Sequence, residues 1–148
     1  MTYKRIVELL EEVISLLPEG VSLAKGGVGE IALAHHLGHE VVKGDKGADG
    51  VDKEGNLYEY KVTTGDTFNF HFGARSDSYG ATITKHFDGI AGAYCAKRVG
   101  MKIVSVEFVS SATLVPALIE HFGTVKGGQL NKNYNMKRLN EAILHKND

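Results

Sequence analysis

Cysteine is nearly absent. Of 148 residues only Cys95 carries a thiol, which excludes an internal disulfide framework and any zinc site built from cysteine. Long apolar runs are also missing, and none approaches the ~20 residues a membrane-spanning helix needs. There is no excess charge of either sign, with 17 Lys and Arg against 18 Asp and Glu. That balance argues against a protein that coats nucleic acid indiscriminately, because such binding rests on many unpaired cations facing phosphate. One local basic face remains compatible with it. Proline is scarce at two residues, so the 18 glycines supply most of the punctuation. Neither internal repeats nor low-complexity segments occur. Glu8, Glu11 and Glu12 sit inside the N-terminal apolar pattern, which is unlike a signal peptide. Together these features predict one cytoplasmic domain, residues 1–148, with no membrane segment.

What is present has a clear periodicity. Ile6, Leu10, Val13, Ile14 and Leu17 recur at three- and four-residue steps, predicting an amphipathic helix over 2–17 that Pro18-Glu19-Gly20 ends. Residues 28–37 read as a second helix closed by Gly38. Short strands follow at 40–43, 48–52 and 57–63, the last two joined by the turn-rich Lys53-Glu54-Gly55-Asn56 as a hairpin. Residues 67–73 alternate, with Phe68, Phe70 and Phe72 on one face and Thr67, Asn69 and His71 on the other. A third helix is expected after Gly80, with Ile83, Phe87, Ile90 and Tyr94 on one stripe. Gly89, Ala91, Gly92, Ala93 and Ala96 then let it lie close on a sheet, with Cys95 as a buried packing residue. Residues 102–109 form the most apolar strand candidate and are expected to be central. Two further helices are expected over 112–122 and 135–145. This order predicts an α/β fold, a mixed sheet with helices on both faces.

The chemistry concentrates between Gly47 and Val62. Glu59 and Lys61 are two apart on one strand and therefore share a face. If Asp49 pairs opposite Lys61 it joins them, whereas a one-residue slip sends it to the other side. Two carboxylates repel unless something positive sits between them. A hard divalent cation, Mg²⁺ above all, accepts one or two carboxylates together with water and phosphate oxygens. Such an ion activates water and stabilises charge developing on a phosphodiester. Lys61 is placed to orient or deprotonate the attacking water. Asp52 is second choice for the aspartate role, because it lies in the turn. Glu30 shares a helical stripe with Leu33, Ala34 and Leu37, so it is either a fourth member of the site or an acidic first-turn residue favoured by the helix dipole.

A glutamate on an early helix, an acidic residue heading one strand and Glu-x-Lys in the next resemble the PD-(D/E)XK nuclease superfamily. The resemblance covers residues 28–109 and implies a restriction-endonuclease-like αβββαβ core, flanked by an N-terminal helix (1–20) and C-terminal helices (110–148). It also implies metal-dependent DNA cleavage, with Asp49, Glu59 and Glu30 as ligands of Mg²⁺ (or Mn²⁺ in its place) and Lys61 as the catalytic lysine. Ala48 stands at the motif's proline position, where the family often lacks proline. Within the superfamily a small type II restriction endonuclease is the first expectation, a homodimer acting on double-stranded DNA. A Holliday-junction resolvase, a nuclease subunit and a catalytically inactive DNA-binding module are the alternatives.

Asn69, His71, Arg75 and Ser76 follow the active-site strand and carry side-chain types that read base edges, although an ordinary polar strand face would look the same. Lys85 and His86, expected at the start of the third helix, are candidates for phosphate contact or a plain first turn. Lys126, Lys132, Lys137, Arg138 and Lys146 outnumber Glu141 and Asp148 near the C-terminus, predicting a flexible basic arm that contacts phosphate. Among the histidines, His35 and His39 can face one ion but lack a clear third ligand, which disfavours zinc.

Overall fold

In a computed structural model that describes residues 3–24, 26–42, 47–75, 79–123 and 129–135, the chain builds a five-stranded mixed sheet between helical layers. Helix α1 (Tyr3–Leu16) comes first, followed by α2 (Gly27–Leu37). Gly38 ends α2 in the left-handed conformation, φ 71°, so that the His39 amide reaches back to the Ala34 carbonyl. Strands β1 (Glu40–Val41), β2 (Gly50–Val51) and β3 (Leu57–Thr63) then run antiparallel to one another in sequence. Next come β4 (Thr67–Arg75), α3 (Tyr79–His86), β5 (Ile90–Val99), β6 (Lys102–Ser110), α4 (Ser111–Gly123) and β7 (Gln129–Asn135). The main sheet has the order β1-β2-β3-β5-β6, with β3 and β5 parallel and β5 and β6 antiparallel. Strands β4 and β7 form a separate antiparallel pair. No helix among the described residues is long and apolar enough to cross a membrane.

Two buried clusters divide the sheet by the parity of its strands. Tyr60 and Ala96 pack with Ala32, Leu33 and Ala34 of α2, with Tyr58 and Val62 half-buried beside them. Ala93, Cys95 and Val109 pack instead with Phe68 and Phe70 of β4, Ile83 and Phe87 of the α3 region, and Leu114 and Leu118 of α4. The alternation expected for the phenylalanine strand holds where its side chains are described: Phe68 and Phe70 are buried while Asn69 is exposed.

Three expectations need correction. The third helix is only half as long as its apolar stripe implies. It stops at His86, Gly89 turns the chain with φ 74°, and residues 90–99 are a strand. Its small residues serve a different contact, because β5 is covered on both faces. A Cβ on Gly92 would lie 2.3 Å from the Val109 carbonyl oxygen and 2.7 Å from the Phe108 ring. Cys95 is buried as expected, but on that strand. Second, β6 lies at the sheet edge rather than its centre, with Val104 and Phe108 exposed. Its apolar residues face both ways and only one flank has a strand neighbour. Third, residues 129–135 of the supposed flexible arm pair with β4 as β7, Asn135 included, a long-range partnership that local composition does not encode. The rest of the expected helix at 135–145 lies outside the described residues.

Candidate active site

Strand β3 sends Tyr58, Tyr60 and Val62 toward α2 and turns Glu59 and Lys61 to the other face. The β2–β3 hairpin pairs Gly50 with Tyr58 and Val51 with Leu57, which brings Asp49 across from Glu59 rather than from Lys61. The register therefore differs from the expected one by two residues. Parity is preserved, and Asp49 still shares the face of Glu59 and Lys61. Asp52 holds the intervening turn. It accepts hydrogen bonds from the Glu54 and Asn56 amides at 3.0 and 2.8 Å, the Asn56 side chain at 3.0 Å and the Tyr58 hydroxyl at 2.7 Å. The Asn56 and Tyr58 bonds hold its carboxyl down at about 2. All its acceptor capacity is spent on the turn, which leaves the aspartate role in the site to Asp49.

Helix α2 brings Glu30 to the same place. Gly29 lies flat against β3, where a Cβ would meet Val62 at 3.0 Å. The first turn of α2 therefore abuts the strand closely enough for Glu30 to reach Asp49. Gly26, Glu30, Asp49, Glu59, Lys61, Thr63, Thr67 and Asn69 line one cleft of about 400 Å³.

The electrostatics of the cleft separate its carboxylates into two kinds. Glu59 is buried yet well partnered: Lys61 Nζ stands 3.2 Å from one oxygen and His86 Nε2 3.3 Å from the other. Burial pushes its carboxyl up, but the His86 hydrogen bond and the Lys61 charge outweigh that and leave it below the ordinary value. Asp49 accepts one hydrogen bond from the Tyr60 amide at 2.9 Å. Burial and repulsion from Glu59 nonetheless raise its carboxyl to about 6. Glu30 rises to about 7, through burial, repulsion from Asp49 and a hydrogen bond to it, and repulsion from Glu59. A hydrogen bond joins the Glu30 and Asp49 carboxyls. Lys61 also lies 5.2 Å from the Phe70 ring centroid, which limits its motion.

The structure brings together Glu30, Asp49, Glu59 and Lys61, and it sets Asn69 on the cleft rim. Among the described residues no three His, Cys, Asp or Glu side chains already stand in a metal-ligating group, since Glu59 is turned toward Lys61 and His86. His71, Arg75 and Lys132 lie on the β4–β7 ribbon, where His71 pairs with Asn131 and Lys132 with Phe70. Their side chains, and Ser76, Lys137 and Arg138 entirely, are outside the described residues. Lys85 is in the last turn of α3, not the first. Carbonyls rather than free amides surround it, so the expected amide-assisted phosphate contact fails there. His39 is taken up by Tyr60, whose hydroxyl lies 2.8 Å from its Nδ1, and by stacking on Tyr58. Sequence reasoning undervalued His86. Its place on the Ile83–Phe87 stripe, three residues after a fully buried position, was the available signal.

No protein-family model matches this sequence, and no curated protein is detectably similar to it.

Proposed function

We propose that the chain is a metal-dependent endonuclease of the PD-(D/E)XK type that hydrolyses DNA phosphodiester bonds, acting as a site-specific restriction endonuclease. The observation that supports this reading is the convergence of Glu30, Asp49, Glu59 and Lys61 in one cleft from α2, the β2 edge and β3. The main sheet runs α2, three antiparallel strands, α3 and a strand parallel to β3, as an αβββαβ core would, with β4 inserted before α3 and paired outside that sheet with β7.

The donor set fits a hard divalent cation. Three carboxylates offer oxygen ligands, and burial and mutual repulsion raise the carboxyls of Glu30 and Asp49, a repulsion that a cation in their midst would relieve. Asp49 and Glu59 would hold Mg²⁺, or Mn²⁺ in its place, with Glu30 beside them. The bound ion would lower the pKa of a water and offset charge on the scissile phosphate. The Tyr60 amide holds one Asp49 oxygen, which fixes the orientation of this carboxylate in the cleft. His86 and Lys61 each hold one oxygen of Glu59, so the carboxylate enters the site as an anion. Lys61 Nζ, paired with Glu59 as an ammonium, is positioned to orient the attacking water and to face the developing negative charge. Asn69 on the rim offers a polar contact for the duplex.

Incubation of the purified protein with unmethylated phage DNA tests this directly. Discrete fragments that require Mg²⁺, vanish with EDTA and are lost in Lys61→Ala are expected. Intact duplex and intact four-way junctions, with DNA binding retained, would refute hydrolysis and leave a binding module.

A further inference from the structure

Helix α1 has no buried residue. Eight of its apolar side chains, from Tyr3 to Leu16, are between 42 and 77 % exposed. At ~100 Å² for a whole aliphatic side chain, they leave roughly 400–500 Å² of apolar surface in one stripe, as much as the largest patch an ordinary monomer keeps. The stripe runs into an apolar groove of about 390 Å³ at the C-terminal end of the helix. Leu16, Leu17, Pro18 and Val21 line this groove with Ile31 of α2 and Val41 of β1, and His35, His39 and Glu40 add polar atoms to it. Helix and groove are therefore one continuous surface.

The charges flanking the stripe indicate what covers it. Lys4 and Arg5 stand at the N-terminal end, whereas Glu8, Glu11 and Glu12 occupy the remainder, so the helix is positive at one end and negative along the rest. Two copies laid side by side in the same direction would set like charge against like. Laid antiparallel, each cationic end lies beside the other copy's acidic segment, and the backbone dipoles oppose favourably as well.

We propose that α1 is the homodimerisation helix. Two copies pair antiparallel about a two-fold axis, and the Tyr3–Ile6–Val7 end of each seats over the groove at Leu16, Leu17 and Ile31 of the other. An isologous contact of this kind uses the same patch twice. Groove residues included, the two faces bury at most roughly 800–1,000 Å² in all, close to the ~1,000 Å² that a specific interface needs. The inference rests on α1 alone and not on the nuclease reading.

Sedimentation equilibrium of the full chain tests it, with three variants. The wild type is expected at twice the chain mass at micromolar concentration. Leu10→Glu is expected to be monomeric with an unchanged far-ultraviolet circular dichroism spectrum. Lys4→Glu with Arg5→Glu, and separately Glu11→Lys with Glu12→Lys, should each weaken self-association about tenfold, and an equimolar mixture of the two should restore it. A parallel pair would leave both charge variants as tight as the wild type, which overturns the arrangement. A monomeric wild type overturns the proposal. Slow amide exchange in α1 would then assign the stripe to residues 136–148 of the same chain, and fast exchange would assign it to a different protein.

Discussion

Asp49→Asn separates a carboxylate cluster built to receive a cation from one that only decorates a hairpin. The Asp49 carboxyl is raised from 3.8 to about 6, so the folded protein binds more protons than the unfolded chain between those values. A group of this sign costs nothing well below its unfolded value of 3.8, where both states are protonated. It destabilises the fold progressively as pH rises, with the full penalty present above about pH 6. A shift of about two units corresponds to about 3 kcal/mol at 1.36 kcal/mol per unit. Partial solvation and the hydrogen bond with Glu30 reduce that to about 1.5–3 kcal/mol. Asparagine keeps an oxygen for the Tyr60 amide and removes the charge, so it abolishes the penalty without breaking that contact. In EDTA at pH 8 the variant should be more stable than the wild type by about 1.5–3 kcal/mol, or about 3–10 °C in Tm for a chain of this length. Well below pH 3.8 the two should coincide. Adding Mg²⁺ at pH 8 should raise the wild-type Tm and leave the variant unmoved. The chain has no tryptophan, so urea and thermal unfolding are best followed by circular dichroism, at one fixed protein concentration. A variant less stable than the wild type at pH 8, or a stability difference that does not change with pH, would refute the electrostatic reading of the site.

If the proposed hydrolysis holds, Lys61→Ala should lower the cleavage rate by about 10²–10⁴ while leaving DNA affinity in a gel-shift assay nearly unchanged, because the proposed role of the lysine is on the water rather than on the duplex. His86→Ala removes one of the two bonds on buried Glu59 and should cost about 1–2 kcal/mol in urea unfolding at pH 7; an unchanged midpoint would remove His86 from the site. Gly29→Val places atoms where a Cβ already meets Val62 at 3.0 Å, so it should push α2 off β3, cost about 1–3 kcal/mol and weaken the Mg²⁺-induced rise in Tm. Burial pushes the Cys95 thiol up to about 12, and a maleimide at pH 8 should label it only once the protein is unfolded. Rapid labelling of the native protein would place β5 somewhere other than between β3 and β6.

Local physics carried the sequence reading a long way. The three- and four-residue apolar spacing located α1, Gly38 stopped α2, and residues 57–63 were legible as a strand to their ends. The two-residue period of that strand put Glu59 and Lys61 on one face, and the alternation of Phe68, Asn69 and Phe70 separated core from surface. Each of these properties is decided within a few residues by backbone geometry and side-chain polarity. The remainder was decided at longer range. Ile90, Gly92, Ala93 and Cys95 suit a helix packed on a sheet as well as a strand buried inside one, and only the flanking β3 and β6 chose between them. The edge position of β6 and the pairing of β7 with β4 depend on partners tens of residues away. The site divides in the same manner. Its residue types and the parity of β3 are written in the chain. The two-residue difference in register, the approach of Glu30 over Gly29 and the grip of His86 on Glu59 exist only because α2, the hairpin and α3 meet at one cleft. Charge repulsion between Glu30 and Asp49 is likewise a tertiary property, because two carboxylates 19 positions apart interact only once folding has desolvated them together.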